Sequence, residues 1–169
     1  MRAPLALATA LLSGCGYHRA GRADLLPKTI HTIAVPAWGN VTTRYRLAER
    51  LPAQITREFI QRTRYRVVAS AEEADSVLNG AVVNFMSYPT VFDPVTGRAA
   101  GIQVVVILQT SLTERATGRV LFTRHSLEFR ERYEISVDPK AYFDETGSAL
   151  DRLAGDVARS LVGAILDNF

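Results

Sequence analysis

The clearest hydrophobic period in the chain lies between Arg44 and Arg64, where Leu47, Leu51, Ile55 and Phe59 recur every fourth position and Ile60 widens the stripe. That spacing predicts an amphipathic helix covering a core with one face, and Arg44, Arg46, Arg50, Arg57 and Arg62 lie largely off the stripe. Pro52 interrupts it. Proline has no N–H to donate to the carbonyl of Ala48 and crowds that carbonyl, so the helix either bends at Pro52 or begins near Leu51. A second helical stripe, Leu150, Leu153, Val157, Leu161 and Ile165, predicts a C-terminal helix. Glu145, Asp151 and Asp156 crowd its early turns, where carboxylates suit the positive end of the helix dipole.

Between these helices the period changes from four to two. Ile102, Val104, Val106, Leu108 and Leu112 share one face, interrupted only by Thr110, and Gln103, Val105, Ile107, Gln109, Ser111 and Thr113 share the other. This is a strand with one face in the core and one half wet. Ala116-Thr117-Gly118 predicts a tight hairpin with Gly118 at positive φ, and the return strand runs from Arg119 to about Tyr133 as the second half of a two-stranded ribbon. Arg124, Ser126, Glu128, Arg130 and Arg132 fall on one face of it, opposite Leu127, Phe129 and Tyr133. Shorter apolar runs at 30–36, 66–69 and 77–88 predict three further strands. Trp38-Gly39-Asn40 breaks the chain after the first, the acidic turn at 71–75 precedes the third, and Asp93-Pro94 and Gly97 mark 89–101 as a long loop suited to contacts.

The strand-helix-strand order at the start predicts a right-handed parallel crossover. The whole pattern predicts a two-layer α/β (α+β) sandwich: a mixed four- to five-stranded sheet with two helices on one face, in the order β-α-β-β-β-β-α.

Composition adds the class of protein. The 169 residues are 47% hydrophobic and 22% charged, the balance of one globular domain. A formal charge of +3, with 18 of the 20 basic residues Arg, is too small and too interspersed to indicate nucleic-acid binding. The single cysteine, Cys15, excludes an internal disulfide framework.

Its position is informative. Met1-Arg2 is followed by Ala3 to Leu12, a run that is apolar except for Pro4 and Thr9, and then by Ser13-Gly14-Cys15. The run is too short for a membrane-spanning helix and suits a secretory signal peptide. Leu12-Ser13-Gly14-Cys15 resembles the bacterial lipobox, in which the cysteine thiol is acylated and becomes the mature N-terminus. We therefore expect residues 1–14 to be a lipoprotein signal peptide, Cys15 the lipid attachment site, 15–29 a lipidated tether and 30–169 one α/β domain. Several acyl chains on one cysteine give stable anchoring. Gly16, rather than Asp, follows the cysteine, which by analogy with enterobacterial sorting directs the protein to the outer membrane.

Catalytic signatures are missing from the sequence. His18, His31 and His125 lack metal-ligand spacing, and no cysteine lies near them except Cys15, so no metal or other cofactor is expected. There is no nucleophile elbow, phosphate loop or dinucleotide fingerprint. Asp138, Asp144 and Glu145 are explained by loop solvation and helix capping, and an enzyme is not expected.

Cys15-Gly16-Tyr17-His18-Arg19-Ala20-Gly21 resembles the start of mature lipopolysaccharide-assembly lipoproteins of the LptE family. Ile33-Ala34-Val35-Pro36 followed by Asn40, the helix, Arg66-Val67-Val68, the Ala74-Asp75 turn and the ribbon-then-helix ending resemble that family in order. The resemblance implies a non-enzymatic outer-membrane lipoprotein, lipid-anchored on the periplasmic side, that plugs an LptD-like β-barrel, helps it assemble and supports lipopolysaccharide transport. An antiparallel ribbon brings the loops before residue 102 and after residue 133 to one end, grouping Arg98, Arg132 and Lys140. These are candidate lipopolysaccharide contacts through charge-assisted hydrogen bonds to phosphate. Three other readings stay open: a different outer-membrane adaptor, such as an auxiliary subunit of a lipid ABC transporter; a periplasmic lipid carrier, which requires an enclosed apolar cavity; and, last of the three, an anchored hydrolase, which requires a nucleophile and base converging in a cleft.

Overall fold

The computed structural model describes residues 26–43, 45–135 and 146–169. Its elements are β1 (Thr32–Ala34), β2 (Gly39–Asn40), α1 (Tyr45–Arg62), β3 (Arg66–Val68), a 3-10 turn at Ala71–Glu73, β4 (Ser76–Phe92), β5 (Ala99–Glu114), β6 (Val120–Glu134) and α2 (Thr146–Leu166). The sheet order is β3-β1-β4-β5-β6, with β2 also paired to β4. β1 runs parallel to both β3 and β4, as the strand-helix-strand order predicted, and β4, β5 and β6 form an antiparallel meander. The two helices pack on one another over the core face of this mixed sheet, so the α+β architecture stands as read from the sequence.

The alternation of β5 decides which face is which. Val104, Val106, Leu108 and Leu112 belong to the buried core together with Ile33, Leu78 and Val82 from neighbouring strands. From the other layer come Leu47, Leu51, Ile55 and Phe59 of α1 and Leu153, Val157, Leu161 and Ile165 of α2. Both predicted stripes therefore meet the same sheet face.

Three boundaries differ from the expectation, and the start of the first helix, which the sequence left open, is settled. α1 runs unbroken from Tyr45 through Pro52. An interior proline costs a helix about 3 kcal/mol, while burying Leu47 and Leu51, both fully inaccessible, contributes about 1.5–3 kcal/mol each, so the first turns form in spite of Pro52. Gly39–Asn40 is not a simple break but a two-residue strand pairing in parallel with Ala81–Val82, which raises the sheet to six strands. β4 does not stop near Tyr88 but continues to Phe92, reducing the expected long loop to a short hairpin and the two-stranded ribbon to part of a three-stranded one. Pro89 is tolerated because, among the described residues, no strand pairs with the other side of β4 past Val82, and the register of β4 against β5 shifts just after it. Finally, the expected tether is already part of the domain at Leu26. That side chain is buried, its N–H donates to the Tyr65 hydroxyl at 3.0 Å, and Thr29 donates to Glu114 at 3.2 Å.

Candidate functional site

Beyond the β2 pairing, the far halves of β4 and β5 and the C-terminal half of β6 form a three-stranded blade. Cross-strand partners share a face, so the face opposite the core carries Asn84, Met86 and Tyr88 of β4, Gln103, Val105 and Ile107 of β5, and Glu128, Arg130 and Arg132 of β6. Towards the other end of the same face lie Asn79, Gln109, Ser111 and Thr123, small uncharged side chains around a shallow cleft of about 280 Å³. No helix of the described residues covers this surface. It mixes the apolar Met86, Val105 and Ile107 with polar side chains and carries both signs of charge, with Glu128 and Arg130 paired at 2.6 Å.

At the tip of the blade the β4–β5 turn is built around Asp93. Its carboxylate accepts from the Thr96 hydroxyl and N–H, both at 2.7 Å, and from the Val95 N–H at 3.2 Å. The Thr96 hydroxyl above all holds the Asp93 carboxyl below the usual carboxylate range. Gly97 takes positive φ, 66°, and its N–H returns to the Asp93 carbonyl at 2.9 Å. Only glycine adopts such a backbone without cost, and Gly118 does the same in the β5–β6 hairpin at φ 70°, as predicted.

This turn displays Arg98, which is exposed. Arg132, also exposed, stands opposite Gln103, five residues along β5 from Arg98 and at the same end of the blade. Among the described residues neither forms an ion pair with a carboxylate. Lys140, the third residue of the expected group, and Cys15, the expected lipid attachment site, lie outside the described residues, as do His18, Asp138, Asp144 and Glu145.

The sequence reading missed the apolar character of the tip. Met86, Tyr88, Val91, Phe92 and Val95 are all exposed, Phe92 at 57% and Val95 at 90%. Val91, Phe92 and Val95, exposed around the turn, make the tip a candidate contact surface. The signal was present in Tyr88, Val91 and Phe92, but Pro89 and Asp93-Pro94 made the segment read as a loop.

Comparison with known proteins decides the family. A family model described as lipopolysaccharide-assembly, LptE, matches residues 30–165. The chain belongs to the LptE family. LptE-family proteins are non-enzymatic lipoproteins of lipopolysaccharide assembly. Solved structures with the same fold include uncharacterized lipoprotein B from Nitrosomonas europaea, at 13% identity, TM-score 0.54, covering 79% of this chain and 80% of that one. Rare lipoprotein B from Shewanella oneidensis matches at 12% identity and TM-score 0.50 over 80% of this chain and 94% of its own. A PelC dodecamer from Paraburkholderia phytofirmans matches at 16% identity and TM-score 0.54 over 85% and 92%. No curated protein matches the sequence. At these identities the structural neighbours speak for the fold, and the family model speaks for LptE membership.

Proposed function

We propose that this LptE-family chain is an outer-membrane lipoprotein, anchored through Cys15, that plugs an LptD-like β-barrel, assists its assembly and supports lipopolysaccharide transport to the cell surface. The family match over residues 30–165 is the observation that carries the reading. The blade adds physical support. Barrel lumens are lined by polar residues, and a plug needs a rigid domain with a hydrophilic exterior; the uncovered sheet face with Asn79, Gln103, Gln109, Glu128, Arg130 and Arg132 has that character. A small two-layer domain on a lipid tether is of a size to sit inside a large barrel while remaining attached to the periplasmic leaflet.

Lipopolysaccharide carries phosphates on its lipid part, and Arg and Lys at the end of the blade suit them. In this reading Arg98, Arg132 and Lys140 contact the phosphates, and Val91, Phe92 and Val95 beside Arg98 meet apolar surface. The test is reversal of all three charges to Glu in the purified protein, followed by direct measurement of lipopolysaccharide binding. Loss of most of the affinity is expected. Unchanged binding would remove these three residues from the contact.

A further inference from the structure

A second site lies away from the blade, where the segment before β1 meets the α1–β3 turn. A cavity of about 390 Å³ opens there between Leu26, Pro27, Lys28, Ile30 and His31 on one side and Arg64 and Tyr65 on the other. Its floor is apolar, since Leu26, Ile30 and Tyr65 are buried. Its rim is basic, since Lys28, His31 and Arg64 are exposed. Among the described residues no carboxylate lines it. Asp75, close enough to His31 to feel its charge, has one carboxylate oxygen occupied by the N–H groups of His31 and Thr32 and the Thr32 hydroxyl, at 2.8–2.9 Å.

The walls are held in place by backbone. The Leu26 N–H donates to the Tyr65 hydroxyl at 3.0 Å, the Ile30 N–H to the Pro27 carbonyl at 2.8 Å, and the Arg66 N–H to the His31 carbonyl at 3.0 Å. The first and third of these bonds tie the two sides of the cavity to one another, so it is part of the folded domain. An apolar floor beneath a rim of cations matches an amphiphilic anion, with a phosphate at the rim and aliphatic carbon below it. Leu26 also lies 26 − 15 = 11 residues after Cys15. Eleven residues span at most about 40 Å, so a chain anchored at Cys15 keeps this cavity near the bilayer surface.

We infer that this cavity is a docking site for the phosphate headgroup of an anionic phospholipid in the leaflet that carries the anchor. The inference rests on the Cys15 anchor of the proposed function, but not on the barrel or on the contacts assigned to the blade. Headgroup docking would hold the start of β3 and the end of α1 beside the leaflet that carries the anchor.

The test uses the mature chain from residue 15 carrying Cys15→Ser, so that neither the apolar leader nor an acyl chain contributes, and vesicle flotation. Vesicles of phosphatidylcholine with one-third phosphatidylglycerol should bind the protein, and vesicles of pure phosphatidylcholine should not. Lys28→Glu with Arg64→Glu should weaken binding by at least about tenfold, since each basic side chain near an anionic surface accounts for about fivefold. Arg46→Glu with Arg57→Glu, the same charge change on exposed positions of α1, should leave most of the binding in place. Should the first pair not fold by circular dichroism, Lys28→Gln with Arg64→Gln supplies the same comparison with a smaller expected loss. Equal losses from both pairs, or equal binding to pure phosphatidylcholine, would each overturn the lipid site.

Discussion

The indole ring of Trp38 lies directly on the backbone of Gly80. A Cβ placed at residue 80 would come within 2.4 Å of two ring atoms, closer than real carbon contacts allow. Gly80 sits on β4 opposite Thr110, beside the point where β2 pairs with Ala81 and Val82, so the ring packs just where the short strand joins the sheet. Here glycine is needed for the room it leaves rather than for its backbone freedom.

Gly80→Ala should therefore displace Trp38 and destabilise the fold by about 1–3 kcal/mol, the range for overpacking a tight core. Trp38 is the sole tryptophan, so its fluorescence reports the event directly. Urea unfolding should show a lower midpoint, and the native emission should move to the red. A variant with unaltered emission and midpoint would contradict the packing described.

Tyr65 tests whether the start of the domain is docked. Tyr65→Phe keeps the ring but leaves the buried Leu26 N–H without its acceptor, which costs about 1–3 kcal/mol. Because the lost bond holds only the segment before β1, the effect should be local. Faster hydrogen exchange and proteolysis at residues 26–30, with little change in the helices, is the expected result.

Asp75 gives the protein a defined response to acid. Backbone N–H donation from His31, then the Thr32 hydroxyl, hold its carboxyl below the ordinary value of 3.8. A folded-state pKa below the unfolded one contributes stability that is fully present above about pH 4 and is lost as the pH falls through the folded value. The difference in unfolding free energy between the parent and Asp75→Asn should therefore shrink on acidification below pH 4. Asp93 and Glu114, whose carboxyls are lowered chiefly by the Thr96 and Thr117 hydroxyls, titrate in both proteins and cancel in that difference. A difference that stays constant from pH 6 to pH 2 would show that the Asp75 contacts do not depend on its charge.

Much of the architecture was readable where the period was strong. The four-residue repeat from Leu47 to Phe59, the alternation of β5 and the glycine at 118 each have a single physical explanation, and each element stands where it was expected. What escaped the sequence was set by tertiary surroundings. A strand as short as Gly39–Asn40 has no period, and only its pairing with β4 defines it. Pro52 within α1 and Pro89 within β4 violate local rules, one outweighed by buried leucines and the other accommodated at a free edge. The burial of Leu26 was invisible because its partner, Tyr65, lies 39 residues away.

The candidate contacts were legible in a different sense. Topology brought Arg98 and Arg132 to one end of the blade, as an antiparallel meander requires, but the exposed Val91, Phe92 and Val95 beside them emerged only from the three-dimensional arrangement. The basic cavity at Lys28 and Arg64 joins segments more than 30 residues apart and follows no sequence motif.

The central claim is that this LptE-family lipoprotein resides in an outer-membrane barrel. Its most direct test is to express the full chain with a C-terminal affinity tag in its native host, extract the outer membrane in mild detergent and identify what copurifies by mass spectrometry. The account predicts a large β-barrel protein in near-stoichiometric amount and a tagged chain that begins at an acylated Cys15. Recovery of the lipidated chain alone, or with an inner-membrane transporter, would contradict it.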